Sequence, residues 1–395
     1  MHIRAPIWLM ALKSPGAGAF ATLFGLESSA RAILATLVIV DLRRMAGSTE
    51  NASEWLFAIA GFGLCANFTI PHLARLVGRR WVYTTGGLSL IVASLLMMGQ
   101  SLPLQVGGMA LRVFGVVCFN ICLNLYILDT LKGQQLNRLE PMRMFAAALP
   151  WTIGPALGVQ LAASTAHWVP LVLSQGFTVI LLVYFWVLRA RENSPLPVMR
   201  RAPANPFRHI WSFLSRPRMR LSYAIAISRS TYWSVLFNYG PMFCIEAGLG
   251  EVVGGYLVSA ANLFLFGAPL VGLVARRSGV KRLIIAGFGL TAAAGLCAFA
   301  FAALPWTAAA FLLLGAFGAF VLDVTGNLPF LRLVRPSERQ AMTPIFATYR
   351  EFSDCVPPGI FSILLRYYPV QIVFLVTGVV QAAAALYATR LPRRL

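Results

Sequence analysis

Apolar residues along this chain come in twelve long runs, separated by short polar gaps. An α-helix needs about 20 mostly apolar residues to cross the hydrocarbon core of a bilayer, and each run reaches that length. The pattern predicts an all-α integral membrane protein with twelve transmembrane helices, at residues 17–40, 54–74, 81–101, 104–128, 143–164, 168–188, 221–243, 252–275, 283–303, 306–329, 343–365 and 369–389. The eleventh run is the least regular, because Pro357 and Pro358 are expected to kink or break a helix there.

The composition favours the bilayer as the surroundings of the chain and excludes several other classes. Hydrophobic residues make up 58% and charged residues 12%, whereas soluble domains carry about 25% charged residues. The net charge of +20 does not indicate nucleic-acid binding, because the basic residues are scattered through the gaps between apolar runs. Six cysteines without a CxxC pair and four dispersed histidines predict no metal site and no cofactor.

The basic residues fall in alternate gaps. If the gaps alternate between the two sides of a membrane, 27 of the 33 Lys and Arg lie on the side of the N-terminus. Three lie on the opposite side: Arg43, Arg44 and Arg366. The other three, Arg31, Arg112 and Arg229, lie well inside apolar runs. The positive-inside rule places both termini in the cytoplasm, and we expect a multi-pass protein of the bacterial inner membrane.

A short pattern after the second run recurs after the eighth. Five residues recur 201 positions later with the same or a similar type, so that Ala74, Arg75, Gly78, Arg80 and Gly86 correspond to Ala275, Arg276, Gly279, Lys281 and Gly287. Internal repeats of six spans are typical of transporters. We therefore expect an N-terminal six-helix half at 1–188, a basic cytoplasmic linker at 189–220, and a C-terminal six-helix half at 221–395.

The repeated segments read Pro-His-Leu-Ala-Arg-Leu-Val-Gly-Arg-Arg at 71–80 and Gly-Leu-Val-Ala-Arg-Arg-Ser-Gly-Val-Lys at 272–281. With the twelve runs, they resemble the Gly…Asp-Arg-x-Gly-Arg-Arg signature of the major facilitator superfamily, although Arg75 and Arg276 replace the usual Asp. Leu-Arg-Val-Phe-Gly at 111–115 and Gly-Pro-Ala-Leu-Gly at 154–158 are similar to that family's fourth-helix arginine motif and fifth-helix antiporter signature. The resemblance implies two pseudo-symmetric halves and secondary active transport by alternating access, without enzymatic activity.

The resemblance also implies gating by charged residues near the cytoplasmic ends of the helices. The candidates are the basic residues of the two repeated segments and two acids of the eleventh run: Arg75, Arg79, Arg80, Arg276, Arg277, Lys281, Glu351 and Asp354. We expect the two acids to bind helix ends or basic loops in a structural role, as the latch of a cytoplasmic gate.

Arg31 and Arg229 lie in the first and seventh runs, 198 positions apart and close to the repeat offset. A charge near the bilayer centre costs about 2.5–3.5 kcal/mol, so such residues indicate a functional site. In the resembled family the first and seventh helices line the central cavity, where two guanidinium groups can hold a carboxylate or phosphate. The alternative is that Glu27, on the same helix face as Arg31, neutralises it, and that another acid neutralises Arg229.

Three residues are candidates for proton coupling. Glu27 can pair with Arg112 of the fourth run, and Asp323 is an isolated carboxylate in the tenth run. The alternatives are a static Glu27–Arg112 pair and an Asp323 that partners Arg229. Candidate substrate contacts are Asn120, Asn124, Tyr232, Trp233 and Asn327. The alternative is hydrogen bonding between helices for the two asparagines of the fourth run, and contact with lipid or neighbouring helices for the two aromatic residues.

These observations predict a monomeric secondary active transporter in the lipid bilayer. We expect it to move a small anionic organic solute, coupled to protons or to a counter-substrate. The alternative within this class is a proton-coupled exporter of amphipathic drug-like solutes. A membrane-embedded enzyme is disfavoured by the dispersed histidines, and flux measurements would exclude a non-transporting receptor.

Overall fold

Helices are the regular elements throughout the described part of the chain. The structure is a computed structural model that describes residues 16–130, 134–190, 206–326, 328–334 and 338–392. The described chain divides into two compact units. Unit 1 comprises Met1–Val38 and Phe62–Arg201, and unit 2 comprises Ile39–Gly61 and Ala202–Leu395.

The helices of the first part of the chain are α1 (Ala17–Ile33), α2 (Leu37–Ala46), α3 (Thr49–Leu76), α4 (Arg79–Met97), α5 (Leu102–Thr130), α6 (Gln134–Ser164) and α7 (Trp168–Ala190). After the gap in the described residues come α8 (Pro206–Leu214), α9 (Pro217–Glu246), α10 (Glu251–Leu263), a 3-10 turn (Phe264–Gly267), α11 (Ala268–Ser278), α12 (Val280–Ala300) and α13 (Pro305–Thr325). The chain ends with α14 (Leu328–Leu333), α15 (Arg339–Ala347), α16 (Tyr349–Leu364) and α17 (Ile372–Ala388).

Eight helical stretches among the described residues are long and apolar enough to cross a membrane. They are Ala17–Ala46, Thr49–Leu76, Leu102–Ile127, Met142–Ser164, Trp168–Leu188, Glu251–Ser278, Val280–Ala300 and Pro305–Phe330. The apolar helix α17 is shorter. A helical membrane protein is therefore confirmed, and the number of twelve spans stays a prediction.

Three predicted spans, the first, the eighth and the eleventh, contain interruptions that the sequence did not predict. A turn at 34–36 separates α1 from α2 inside the first predicted span, and a 3-10 turn separates α10 from α11. The break expected at Pro357 and Pro358 was wrong, because both lie inside α16 and the interruption falls at Thr348 instead. Both prolines are buried, and neighbouring helices often allow membrane helices to accommodate proline.

The sequence repeat extends to backbone conformation and to helix packing. Gly78 and Gly279 link consecutive helices with nearly the same left-handed backbone, at φ 94° and 86° and the same ψ of 142°. In unit 1, α4 packs on α5 and α7 while α1 packs on α6 and α7. In unit 2, α12 packs on α13 and α17 while α9 packs on α16 and α17. The two units thus use the same order of helix contacts.

Glycines hold the equivalent helix pairs close together. A Cβ at Gly115 of α5 would lie 2.6 Å from the carbonyl oxygen of Gly86 in α4. A Cβ at Gly318 of α13 would lie 2.9 Å from the carbonyl oxygen of Gly287 in α12. Gly86 and Gly287 are one of the five repeated pairs, so this close approach explains their recurrence.

Candidate functional site

The interior of unit 1 holds a carboxylate and an arginine on the same helix. Glu27 is fully buried, and its Oε1 lies 3.2 Å from Nη1 of Arg31, one helical turn later. The Arg31 guanidinium packs 5.7 Å from the Trp151 ring of α6. Arg143, which packs 4.4 Å from the Phe24 ring, also acts electrostatically on Glu27. Arg31 therefore has a neutralising partner within its own helix.

Arg112 of α5 binds backbone carbonyls rather than Glu27. Its guanidinium donates to the carbonyl oxygens of Arg31 and Leu34, the latter at 3.3 Å. The last carbonyls of a helix have no partner within that helix, and α1 ends at Ile33. Because α1 is interrupted, the Arg31 carbonyl near its end accepts a hydrogen bond from Arg112. The Leu34 carbonyl, just beyond α1, also accepts from the N–H of Val38 at 3.1 Å.

The Gly-Pro-Ala-Leu-Gly segment of α6 packs directly against the same end of α1. A Cβ at Gly154 would lie 2.7 Å from Ala32, and a Cβ at Gly158 would overlap the carbonyl oxygen of Ile33. These two glycines let the backbones of α1 and α6 touch beside the interruption. Side chains at either position would separate the two helices.

The interior of unit 2 holds an arginine and a carboxylate on different helices. Arg229 of α9 is 5% exposed, and its Nε lies 3.2 Å from Oδ1 of Asp323 in α13. Its Nη2 donates to the hydroxyl of Tyr349 in α16 at 2.8 Å, and the guanidinium lies 5.3 Å from that ring. The Asp323 side chain is 31% exposed, so this pair borders an opening.

A second arginine joins the same cluster. Nε of Arg350 donates to the Tyr349 hydroxyl at 3.2 Å, so the phenol oxygen accepts hydrogen bonds from two guanidinium groups. Arg350 also acts electrostatically on Asp323. The four side chains Arg229, Asp323, Tyr349 and Arg350, which we call the arginine cluster, carry two positive charges and one negative charge.

Hydrogen bonds between helices fix the surroundings of Arg229. The Ser353 hydroxyl donates to the Ser230 hydroxyl at 2.7 Å, and the Gln381 amide donates to the carbonyl oxygen of Ser228 at 2.7 Å. These bonds join α9 to α16 and α17 on either side of Arg229. The guanidinium is thus presented from a fixed segment of α9.

Comparison with known sequences decides the family. The sequence model of the Major Facilitator Superfamily matches residues 19–358. The chain belongs to the major facilitator superfamily. It is therefore a transporter with several membrane-spanning helices and not an enzyme. No curated protein sequence matches it.

Solved structures share the fold of this superfamily member at low sequence identity. A POT family transporter in complex with 5-aminolevulinic acid is 11% identical, with 94% of each chain covered and a TM-score of 0.76. A peptide transporter POT in complex with alafosfalin is 12% identical, with 97% of each chain covered and a TM-score of 0.75. A D-xylose-proton symporter is 12% identical, with 99% of each chain covered and a TM-score of 0.69.

The remaining candidate contacts of this transporter differ in their surroundings. The Tyr232 hydroxyl is buried and donates to the carbonyl oxygen of Leu312 at 2.8 Å, which gives it a packing role. Trp233 is half-buried, Asn120 is half-buried and Asn124 is exposed. Asn327 lies outside the described residues.

The repeat relates the two interiors of the transporter. Asn120 follows Gly115 in unit 1 by the same number of residues as Asp323 follows Gly318 in unit 2, so we treat the two positions as equivalent. Arg31 and Arg229 are equivalent at the offset of 198 residues. Unit 1 has an amide where unit 2 has the carboxylate, and its arginine pairs within α1 instead.

The predicted gating residues lie at helix ends. Arg75, Arg80, Arg276, Arg277 and Asp354 are exposed, while Arg79 and Glu351 are half-buried. Lys281 donates to the carbonyl oxygens of Thr389 and Leu391, both at 2.6 Å. The gating role of these residues stays a prediction.

All three basic residues predicted on the outer side bind carboxylates within unit 2. Nη2 of Arg43 lies 3.2 Å from Oε1 of Glu246, which also accepts a hydrogen bond from the Thr49 hydroxyl. The carboxylates come from α2, α3 and the facing ends of α9 and α10. We call this group the ion-pair cluster: Asp41, Arg43, Arg44, Glu50, Glu54, Glu246, Glu251 and Arg366.

Two further arginines, Arg44 and Arg366, complete the ion-pair cluster. Nη2 of Arg44 lies 2.6 and 2.8 Å from the two carboxylate oxygens of Glu251. Arg366 binds Glu54 at 2.5 Å and Glu50 at 3.3 Å. The hydrogen bond to Glu54 raises the pKa of the Arg366 guanidinium above its ordinary value, so this side chain stays charged at physiological pH.

Sequence reasoning missed Tyr349 and Arg350. Arg350 lies in an apolar run, but the positive-inside interpretation assigned it to the cytoplasmic side. Nothing in the sequence distinguished Tyr349 from the other ten tyrosines. The described residues contain no group of three His, Cys, Asp or Glu side chains suited to a metal ion.

Proposed function

We propose that this transporter moves a small anionic organic solute and that the arginine cluster binds its negative group. The observation that carries the proposal is the charge of the cluster, in which two guanidinium groups share one carboxylate and one phenol. Arg350 is exposed and Glu351 acts on it electrostatically, whereas Arg229 is buried. Positive charge inside a membrane protein is costly, and an anion would offset the charge of Arg229. Guanidinium groups bind carboxylates and phosphates through paired hydrogen bonds.

Coupling to protons follows from competition for Arg229. Asp323 occupies the Nε edge of the guanidinium, which an incoming carboxylate also needs. A displaced Asp323 would lose its ion pair with Arg229, and a partly desolvated carboxylic acid without that counter-charge favours its neutral form. Anion binding and proton uptake would then occur together, with one proton for each bound anion. A counter-substrate anion that displaces the solute is the second mode of coupling.

Arg31 is the weaker candidate for anion binding. Its side chain is 26% exposed, but Glu27 already neutralises it. The same fully buried Glu27, together with the glycine contact between α1 and α6, favours the alternative function of a proton-coupled exporter of amphipathic solutes. Under that alternative, a cationic solute would bind near Glu27.

The ion-pair cluster is the proposed gate on the outer side. Segment 39–61 belongs to unit 2 but lies between two parts of unit 1 along the chain. If the units move in an alternating-access cycle, either the chain bends at the two ends of segment 39–61 or the ion pairs of this segment break. Exposed ion pairs contribute only about 0.2–1 kcal/mol each, so such a gate could open reversibly. We place the protein in the inner membrane as a monomer with both termini cytoplasmic.

The test is a ligand screen on purified protein, with Arg229→Ala as the variant. A ligand at 100 times its dissociation constant adds about 2.7 kcal/mol of stability, which a thermal-shift assay detects. We expect organic anions to stabilise the wild-type protein and not the variant. Arg390→Gln, which removes an exposed charge, is the matched control. Stabilisation by cationic amphiphiles alone, or by anions in Arg229→Ala, would contradict the proposal.

A further inference from the structure

An apolar groove lies in unit 2 between the α10–α11 segment, α12 and α13. Its volume is about 510 Å³, and every residue that lines it is aliphatic, aromatic or glycine. Phe264 of the 3-10 turn packs against Phe317 and Phe320, with ring centroids 5.3 and 6.5 Å apart. Leu263 and Leu270 on the rim are exposed. An apolar groove with an apolar rim suits a hydrocarbon chain and excludes a polar solute.

One end of this groove adjoins a run of basic residues. Val274 and Leu283 line the groove, and Arg276, Arg277 and Arg282, which lie next to them in sequence, are exposed. The ion pairs of the described residues involve none of these three arginines. The segment from 275 to 283 contains no acidic residue. The described protein therefore supplies no carboxylate partner for these charges.

The equivalent surface of unit 1 is more polar. By the 201-residue offset, Ala286 and Leu290 of the groove correspond to Thr85 and Ser89 of α4. Both of these hydroxyls bind carbonyl oxygens of their own helix. Basic residues follow the same turn in both units, but only unit 2 combines them with a wholly apolar lining at these positions.

We propose that an anionic phospholipid binds here, with an acyl chain in the groove and its phosphate at Arg276, Arg277 and Arg282. The headgroup would supply the negative charge that the segment lacks, and the groove would hold the chain that continues from it. Basic pockets between membrane helices bind anionic headgroups on the cytoplasmic side, which is the side predicted for this turn. A neutral lipid would not need the arginines, and a free phosphate would not need the groove.

The test is native mass spectrometry of the full-length protein with defined lipids. We expect phosphatidylglycerol to be retained more strongly than phosphatidylcholine with the same acyl chains. Each basic residue at a membrane surface contributes about a fivefold change in lipid affinity, so R276Q/R277Q should weaken phosphatidylglycerol retention about 25-fold on the same basis. The matched control R75Q/R80Q changes the repeated turn of unit 1 and should leave retention unchanged.

A second variant tests the groove separately from the arginines. Ala286→Phe fills the lining and should reduce phosphatidylglycerol retention, whereas the equivalent Thr85→Phe should not. Equal retention of the two lipids, equal loss in both arginine double variants, or full retention by Ala286→Phe would overturn the proposal. Displacement of phosphatidylglycerol by inorganic phosphate would also overturn it, because the site would then recognise the anion alone.

Discussion

Replacing Asp323 by Asn should tighten anion binding while uncoupling it from protons. In the wild-type protein an incoming anion must displace the Asp323 carboxylate from Arg229, where the two atoms lie 3.2 Å apart. The contact is an ion pair, and 31% of the Asp323 side chain is exposed. An ion pair that is open to solvent contributes about 0.2–1 kcal/mol. Removing about 1 kcal/mol of competition corresponds to roughly fivefold tighter binding.

Proteoliposomes loaded with solute separate binding from coupling. Asp323→Asn should retain exchange of labelled for unlabelled anion but lose accumulation driven by a pH gradient. Glu338→Gln removes a carboxylate that binds Arg216 outside the arginine cluster, and should behave as wild type. The reasoning is refuted if Asp323→Asn binds the anion more weakly, or if it still accumulates solute against its gradient when only a pH difference is applied.

Three further predictions concern the fold and the gate. Gly158→Ala should lower the thermal unfolding temperature or prevent folding, because the new Cβ would overlap α1. The control Gly176→Ala places its Cβ in open space and should be tolerated. Equal unfolding temperatures for the two variants would contradict this account. Arg112→Ala should cost about 1–3 kcal/mol of stability by leaving the Arg31 carbonyl without its side-chain donor. Thermal unfolding in detergent measures this cost, and an unchanged unfolding temperature would refute it. Arg44→Glu should alter the transport rate, and the double variant Arg44→Glu/Glu251→Arg should restore it. If the effects of the two changes on the rate are merely additive, the ion pair does not form the gate.

The parts of the structure that the sequence predicted are those that depend on neighbouring residues. Apolar runs predicted helices because a segment that crosses a membrane must satisfy its backbone hydrogen bonds internally, as a helix does. The Glu27–Arg31 pair was anticipated because residues four apart share a helix face. The repeated turn at Gly78 was anticipated from its second copy at Gly279.

Contacts between helices escaped prediction because they depend on packing. The sequence left Asp323 either a proton carrier or the partner of Arg229, and only the packing of α9 on α13 showed the two side chains together. Tyr349 and Arg350 reach the same point because α16 begins after an interruption at Thr348, which hydropathy does not reveal. The hydrogen bond from Arg112 to the Arg31 carbonyl escaped prediction for the same reason, since it depends on the early end of α1.

The early end of α1 changes how the charge of an arginine in the protein interior is compensated. Aligned peptide dipoles place about half a negative elementary charge at the C-terminal end of a helix. Arg31 lies in the last turn of α1 and Arg112 binds there, so the backbone itself offsets part of their charge. Arg229 is the thirteenth residue of a helix of 30 residues, far from either end. Of Arg31, Arg112 and Arg229, it alone must draw all its compensation from side chains or from a bound anion.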